Sequence, residues 1–348
     1  MNIAGVGHAF PSNFYTQTEL LAAAEAQWGD QLFNTDRLAR LFDNVLVGGR
    51  HLALPLDEYP ALASFGAAND AWIRVGLEVG AEAVERALAQ AGLTPVDVDA
   101  LFTVTVTGVA TPSLDARLMN RLEFRPDLKR IPIFGLGCVA GAAGIARAAD
   151  YLRAFPDQIA VLLSVELCSL TLQREDLSMA SLVSAGLFGD GAAAVVLVGA
   201  ERAAVGPRVA ASRSSFYPGT EHVMGWDISE RGFKILLSAE VPAMVRRHLR
   251  RDVEAFLAAH DSRRDDISSW IAHTGGPKVL EAVEEALELP PDALELAWKS
   301  LREVGNLSST SVLLVLEETM AGSPPAQTRG LLFAMGPGFC SELVLLEW

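Results

Sequence analysis

The chain repeats one order of structural elements, once in each half. A helical pattern over residues 74–91, a polar turn and an apolar strand over 101–106 make up the first copy. The second copy runs from a helical pattern that includes Val245 through a polar stretch to a strand over 267–272. Each strand ends at a glycine loop, and each loop enters a further helix through a proline. The two copies keep nearly the same spacing, which predicts two halves of one design.

This repetition predicts an α/β protein with two pseudo-duplicated halves, residues 1–200 and 201–348. Strands that alternate with helices are expected to pair in parallel through right-handed crossovers. The strand that closes each half, over 192–198 or 341–346, is expected to be antiparallel or to lie at a sheet edge. Pseudo-twofold packing of the halves would bring the loops at the strand ends to a common point.

A cysteine follows two glycines at the end of an apolar strand. Residues 131–144 read Ile-Pro-Ile-Phe-Gly-Leu-Gly-Cys-Val-Ala-Gly-Ala-Ala-Gly, so that Cys138 opens a helix. The helix dipole, together with a nearby histidine, can lower a cysteine pKa from about 8.5 to roughly 4 to 7. Corresponding loop ends carry His273 and Asn306. A thiol, an imidazole and an amide at one point are what acyl transfer requires, since they supply the nucleophile, the base and donors for an oxyanion.

Composition excludes several classes of function. A net charge of -15 and a pI near 4.9 argue against binding to nucleic acid or to anionic membranes. No apolar run reaches the length of about 18 residues that a membrane span needs, and the basic region of a signal peptide is missing, so a cytoplasmic protein is expected. The three cysteines share no metal-binding spacing, which predicts free thiols and no metal site.

Two other enzyme classes share parts of this pattern. Residues 135–140, Gly-Leu-Gly-Cys-Val-Ala, match the dinucleotide-binding fingerprint, but neither Asp150 nor Glu166 lies where its acidic partner is expected. Papain-like proteases also use cysteine, histidine and asparagine in this chain order. Their cysteine has a different flanking signature, and the duplicated halves do not fit their fold. Both classes therefore rank behind acyl transfer.

Seven motifs, spread over nearly the whole chain, carry a family resemblance. They are residues 110–117 (Ala-Thr-Pro-Ser-Leu-Asp-Ala-Arg), 137–141 (Gly-Cys-Val-Ala-Gly), 187–191 (Leu-Phe-Gly-Asp-Gly), 224–228 (Met-Gly-Trp-Asp-Ile), 273–277 (His-Thr-Gly-Gly-Pro), 305–309 (Gly-Asn-Leu-Ser-Ser) and 336–339 (Gly-Pro-Gly-Phe). Together they resemble type III polyketide synthases of the chalcone synthase family, within the thiolase superfamily. The first and fourth motifs are similar to the bacterial branch that makes alkylresorcinols and alkylpyrones.

The resemblance implies a thiolase-like fold in a layered αβαβα arrangement and a role for each residue of the site. Cys138 would accept a starter acyl group from coenzyme A. His273 and Asn306 would bind the malonyl thioester carbonyl and stabilise the enolate formed on decarboxylation. No metal or redox cofactor is implied, because loss of CO2 drives the condensation.

The resemblance also implies a cavity, a coenzyme A site and a dimer. Phe188 would stand at the junction of the coenzyme A tunnel and the cavity, and residues 336–338 (Gly336, Pro337 and Gly338) would form a scaffold loop. Arg37 and Arg40 match positions that bind coenzyme A phosphates, although Asn44 occupies a third such position. Thr111 lies where the family passes a residue into the partner's cavity, so a homodimer is expected. The remaining implied cavity residues are Thr107, Cys168, Thr171, Trp226, Ile235 and Ser308.

These implications define an expected function and its alternatives. The chain is expected to load a fatty acyl starter, extend it with malonyl-CoA and close the product to an alkylpyrone or alkylresorcinol. A ketoacyl-acyl carrier protein synthase III is the nearest alternative, since it uses the same three residue types for one condensation. A noncatalytic binding protein of the thiolase fold is a third possibility, but it would have no use for an intact triad.

Overall fold

The computed structural model describes residues 1–31 and 35–348 of the chain. The strands in these ranges are β1 (Asn2–Ala9), β2 (Asn13–Thr16), β3 (Gly49–Leu52), β4 (Ala100–Thr105), β5 (Lys129–Phe134), β6 (Ile159–Leu167), β7 (Asp190–Val198), β8 (Arg208–Phe216), β9 (Met224–Ser229), β10 (Gly232–Leu237), β11 (Ile267–Ala272), β12 (Arg329–Gly336) and β13 (Cys340–Glu347). The helices are α1 (Gln17–Trp28), α2 (Thr35–Asn44), α3 (Phe65–Gln90), α4 (Leu114–Leu118), α5 (Ala140–Ala154), α6 (Met179–Leu187), α7 (Val241–Ala258), α8 (Pro277–Leu287), α9 (Glu295–Val304) and α10 (Ser311–Ala321).

The main sheet contains the predicted duplication. Its first part has the strand order β1-β7-β6-β4-β5, and its second part repeats that order as β8-β13-β12-β11. The two parts meet at β1 and β8 through the pair Asn2 and Arg208. Strand β4 runs parallel to β5 and β6, and β11 runs parallel to β12. The α/β prediction is therefore confirmed, whereas a division at residues 200 and 201 stays a prediction.

The strand that closes each half is antiparallel, as predicted, but it lies inside the sheet. Strand β7 is antiparallel to both β1 and β6, and β13 is antiparallel to both β8 and β12. All nine residues of β7 are buried, because the strand has neighbours on both sides and helices on both faces. The loops that precede these strands therefore open near the middle of the sheet, where a site can be enclosed.

Helix α5, which is rich in small residues, lies between the halves. Helix α5 contacts β4 and β6 of the first half and β12 and β13 of the second, and it also contacts α10. Its alanines and glycines are almost all buried, because only small side chains let the two layers approach this closely. Helix α3 packs on the opposite face of the first-half strands, and α7 packs against β13. Across the described ranges, no helix is both long and apolar enough to traverse a bilayer.

Candidate active site

One cavity of about 1250 Å³ brings together the loop ends of both halves. Cys138, His273 and Asn306 all line it. Of the other cavity residues implied by the sequence, seven also line it: Thr107, Cys168, Thr171, Phe188, Trp226, Ile235 and Ser308. Thr111 is exposed and is not part of the lining. The catalytic roles stay predictions, but the convergence of the three reactive side chains is a feature of the structure.

The loop before β13 packs directly against the turn that carries Cys138. Cys138 lies in a 3-10 turn, Gly137–Val139, that leads into α5. Gly137 has a φ of 58°, and a Cβ there would lie 2.6 Å from the ring of Pro337. A Cβ on Gly336 would lie 2.8 Å from the backbone nitrogen of Val139. Glycine is therefore required on both sides of this contact, which holds the thiol in place.

Close packing behind the cysteine is expected to make Gly141→Ala destabilising. A Cβ at Gly141 would lie 2.3 Å from the backbone oxygen of Ser309 and 2.7 Å from Val312. We expect a loss of about 2 to 3 kcal/mol in the free energy of unfolding, measured in urea, because the layers would have to separate. Gly66→Ala, on α3, is the control, since the nearest atom there is 3.8 Å away. Equal stability of the two variants would contradict this account of the packing.

Burial opposes charge on both reactive side chains. Cys138 is 7% exposed, and its Sγ lies 3.6 Å from the Oγ of Ser308. Burial raises the pKa of the thiol to about 12, and the Glu166 carboxyl adds to the rise. Burial lowers the pKa of the His273 imidazole to about 4. The direction is opposite to the lowered cysteine pKa expected from the sequence, so thiol and imidazole are both neutral in the resting cavity.

His273 stands at the end of β11, where its backbone is fixed and its ring faces the cavity. The backbone N–H of His273 donates to the carbonyl of Phe333 on β12 at 3.1 Å, which continues the parallel pairing beyond Ala272. The Nδ1 atom is buried and lacks a hydrogen-bond partner among residues 1–31 and 35–348. Burial is the cause of the lowered pKa of this ring. The imidazole is therefore neutral at physiological pH.

The side-chain amide of Asn306 is oriented by its own loop. Its Oδ1 accepts the backbone N–H of Ser308 at 2.8 Å, so that the NH2 end of the amide is the end left for a ligand. The Asn306 backbone is held as well, since its N–H donates to Leu187 at 2.9 Å and its carbonyl accepts from Gly189 at 3.0 Å. These bonds form a bridge between Phe188 and Asn306. The amide is thus preorganised as a hydrogen-bond donor.

A buried carboxyl behind the cysteine was not recognised from the sequence. Glu166 is fully buried on β6, and burial raises its pKa to about 7. Its Oε2 accepts from the Thr107 hydroxyl at 2.8 Å and from the Val106 N–H at 3.1 Å, and its Oε1 accepts from Ser309. Glu166 therefore links the first-half strand end to the loop of Asn306. The available signal was a single acidic residue within the buried run 159–167.

The raised pKa predicts how Glu166 affects stability with pH. Its native pKa of about 7 lies above its usual value of 4.5, so the native state keeps a proton that the unfolded state releases between these values. The stability contribution is complete below about pH 4.5 and is lost as pH rises through about 7. Glu166→Gln, which does not ionise, should gain up to about 3 kcal/mol relative to the unmodified chain between pH 4.5 and 8.

Urea unfolding at four pH values across this range would measure the change. Glu221→Gln, at an exposed position, is the control and should differ from the unmodified chain by the same amount at every pH. A difference for Glu166→Gln that stays constant with pH would contradict the assignment.

A short hairpin and α6 close other sides of the cavity. The indole N–H of Trp226, on β9, donates to the carbonyl of Val106 at 2.9 Å, and its ring lies 5.9 Å from that of Phe233 on β10. Phe188 follows α6 directly and lies against the Asn306 loop. These contacts fix two aromatic side chains, Trp226 and Phe188, in the cavity lining.

The predicted coenzyme A arginines lie outside the cavity lining. Arg37 and Arg40 are both exposed on α2. Arg37 donates to the sulfur of Met179 at 3.0 Å, and Met179 lines the cavity, so the helix stands beside its outer part. Asn44, at the third position, does line the cavity. Arg37 and Arg40 therefore lie on a charged rim beside the cavity. Their binding of coenzyme A phosphates stays a prediction.

Family models match the two halves of the chain in succession. The model for the N-terminal domain of chalcone and stilbene synthases matches residues 1–202. The model for the C-terminal domain of the same family matches residues 208–347. The chain belongs to this family. The family prediction is confirmed, and this chalcone and stilbene synthase family member is a type III polyketide synthase.

Individual relatives extend over the full chain. It is 53% identical to a 1,3,6,8-tetrahydroxynaphthalene synthase from Streptomyces peucetius subsp. caesius, covering 100% of the chain and 93% of the relative. It is 37% identical to a putative chalcone synthase from Bacillus subtilis, and this match covers 99% of the chain and 98% of the relative.

A solved structure supports the same assignment. The chain superposes on the 1,3,6,8-tetrahydroxynaphthalene synthase of Streptomyces coelicolor, described as a bacterial type III polyketide synthase, with a TM-score of 0.95. This match has 32% identity and covers 100% of this chain and 99% of the other. The predicted thiolase-like fold is confirmed. This type III polyketide synthase is therefore an acyltransferase that condenses malonyl-CoA with loss of CO2.

Proposed function

We propose that Cys138 carries the growing chain, and that His273 and Asn306 serve the loading and decarboxylation steps. The observation that supports this most is that a thiol, an oriented amide and an imidazole whose Nδ1 has no partner among the described residues all line one cavity. Each group comes from a different loop, so their meeting is a property of the fold. The proposed reaction needs no metal or redox group, because release of CO2 supplies the driving force for condensation.

Loading begins with transfer of the thiol proton from Cys138 to His273. The Sγ then attacks the carbonyl carbon of an acyl-CoA thioester and forms a new thioester bond. The bond to the coenzyme A sulfur breaks, and the leaving thiolate takes the proton back from the imidazolium. Both groups resist charge separately, but the two opposite charges formed by the transfer stabilise each other. Loading therefore depends on the pair.

Extension uses the donors that face the cavity. Malonyl-CoA loses CO2, and the electron pair of the broken bond forms an enolate whose oxygen accepts from the Asn306 amide and from His273. The enolate carbon attacks the acyl group on Cys138, and the bond to Sγ breaks. The lengthened chain leaves on coenzyme A and is loaded again for the next cycle. Repetition yields a polyketide that closes to a ring.

We propose that malonyl-CoA supplies both starter and extender units, and that the product is a polyhydroxylated aromatic. Support comes from the 53% identical relative, whose name gives a naphthalene with alternating hydroxyl groups, the pattern that repeated two-carbon units produce. The large side chains of Trp226 and Leu172 also line the cavity and reduce the room for a long chain.

A fatty acyl starter, with an alkylpyrone or alkylresorcinol product, is the second candidate. The observation in its favour is that the cavity of about 1250 Å³ continues past the reactive residues to apolar side chains of α1 and α3. Leu20, Trp28 and Phe65 belong to this part. An alkyl chain would be buried there without unpaired polar groups.

A homodimer in the cytoplasm completes the proposal. Thr111 is exposed, as passage of a residue across a subunit interface requires. Cys138, Cys168 and Cys340 are free thiols, which suits a reducing compartment.

One incubation series separates these products. The protein is given malonyl-CoA alone, and then malonyl-CoA with starters of increasing acyl length, and products are identified by mass spectrometry. An aromatic product from malonyl-CoA alone supports the first candidate. Products that require a fatty acyl-CoA and retain its alkyl chain support the second. A single condensation product, formed only from a malonyl carrier protein, would overturn both.

A further inference from the structure

A buried arginine lies across the two loops that carry Phe188 and Asn306. Arg50, on β3, is 2% exposed, and its guanidinium donates to the backbone carbonyl of Phe188 at 3.1 Å. In the part of the chain that the structure describes, no carboxylate lies within 4 Å of it, and its Nε has no hydrogen-bond partner. The charge of buried Asp190 favours the guanidinium only from beyond that distance, so the burial of this arginine calls for an explanation.

Two glycines leave the space that the Arg50 side chain occupies. A Cβ on Gly189 would lie 3.4 Å from the Cβ of Arg50, and a Cβ on Gly305 would lie 3.2 Å from its Cδ. Neither glycine tolerates a side chain, because those same Cβ atoms would meet the Val304 and Leu187 carbonyls at 2.6 Å. The aliphatic part of the Arg50 side chain therefore packs over the point where the backbone of Phe188 meets that of Asn306. We call this point the crossing.

These contacts connect Arg50 to Asn306 through the backbone of Phe188. The Phe188 carbonyl that accepts from Arg50 belongs to the same bridge whose bonds hold the Asn306 backbone. The peptide group of Phe188 is thus fixed by a charge-assisted hydrogen bond on one side and by the Asn306 loop on the other. A shift of this crossing would move the Asn306 amide directly, whereas the cysteine turn, although it touches Ser308, has a second support in Pro337.

We propose that Arg50 is a positioning residue for decarboxylation, which it serves by holding the Phe188 and Asn306 crossing so that the Asn306 amide meets the enolate oxygen. This inference rests on the proposed role of Asn306. It predicts an effect on CO2 release and little effect on loading, because within the described residues Arg50 makes no hydrogen bond to the Cys138 turn.

Two rates measured on the full chain test the proposal. One is conversion of malonyl-CoA to acetyl-CoA, and the other is acylation of Cys138 by a starter acyl-CoA, followed by intact-protein mass. Arg50→Met, which keeps the stem but loses the donors, should lower decarboxylation by about tenfold or more and change acylation by less than about twofold. Arg50→Lys, which keeps the charge, should recover part of the rate and covers the case in which the methionine variant does not fold. Arg86→Met is the control, since exposed Arg86 donates to the His8 carbonyl away from the site at 2.9 Å.

A double variant separates positioning from general damage. Arg50→Met combined with Asn306→Ala should decarboxylate no more slowly than Asn306→Ala alone, because both changes remove one function. Three results would each overturn the inference. The losses of the two single variants could multiply in the double variant, Arg50→Met could lose acylation as much as decarboxylation, or both Arg50 variants could decarboxylate at the wild-type rate. If Asn306→Ala itself decarboxylates at the wild-type rate, the proposed function fails first, whatever Arg50→Met does.

Discussion

Cys138→Ala is expected to abolish acyl loading and to lower product formation by at least about a thousandfold. The thiol is the proposed nucleophile, and the hydroxyl of Ser308, 3.6 Å from Sγ, makes no hydrogen bond to the imidazole in the part of the chain that the structure describes. Intact-protein mass spectrometry after incubation with an acyl-CoA would measure loading directly. The fold should persist, because alanine is smaller than cysteine and fits between Gly137 and Val139.

Cys340→Ser is the matched control for this substitution. Cys340 is a half-buried thiol outside the cavity lining, where its Sγ donates to the Pro337 carbonyl at 3.2 Å, and serine keeps that donor. We expect loading at the wild-type level in this variant. Acylation that persists in Cys138→Ala and disappears in Cys340→Ser would show that the wrong cysteine had been assigned.

His273→Ala is expected to impair loading and decarboxylation together, each by about a hundredfold or more. Burial raises the Cys138 pKa to about 12, so the thiol must lose its proton to a neighbour before it attacks. Burial lowers the His273 pKa to about 4, so the resting imidazole is neutral, and the proposed transfer depends on the new thiolate stabilising the imidazolium. The same ring is the second proposed donor to the enolate, which is why both steps depend on it.

Asn306→Ala is the comparison that divides these two roles. An amide does not accept a proton at neutral pH, so its loss should slow decarboxylation and spare loading. The two rates described for Arg50 would be measured on both variants at the same pH. Equal loading in His273→Ala and in the unmodified chain would contradict the proton transfer, while wild-type decarboxylation in both variants would contradict the enolate donors.

The sequence was sufficient for the residues that lie at loop ends. The duplicated order of elements placed Cys138, His273 and Asn306 at equivalent positions, and parallel strands bring such positions to one edge of a sheet. Local patterns of this kind depend on neighbours a few residues apart, which the sequence contains. The strands after the second glycine loops were predicted to be antiparallel for the same reason, but their central place in the sheet was not.

Arg50 and Glu166 show where that reasoning stops. Arg50 follows two glycines and belongs to none of the motifs, yet it is buried beneath Gly189 and Gly305, which are far from it in the chain. Glu166 was considered only as a nucleotide ligand, yet it joins Thr107 to Ser309. Burial of a charged side chain is decided by what packs over it, and no local pattern records that.

By itself, the sequence determined the duplicated α/β design from the order and spacing of its elements and the family from the resemblance of its motifs, and it predicted the three candidate catalytic residues. Only the tertiary structure decided the electrostatics of the site. The helix terminus before α5 predicted a lowered thiol pKa, whereas enclosure by both halves raises it and keeps the imidazole neutral. Removal from water is a property of the assembled layers, and it acts on the thiol in the direction opposite to the one expected from the helix terminus.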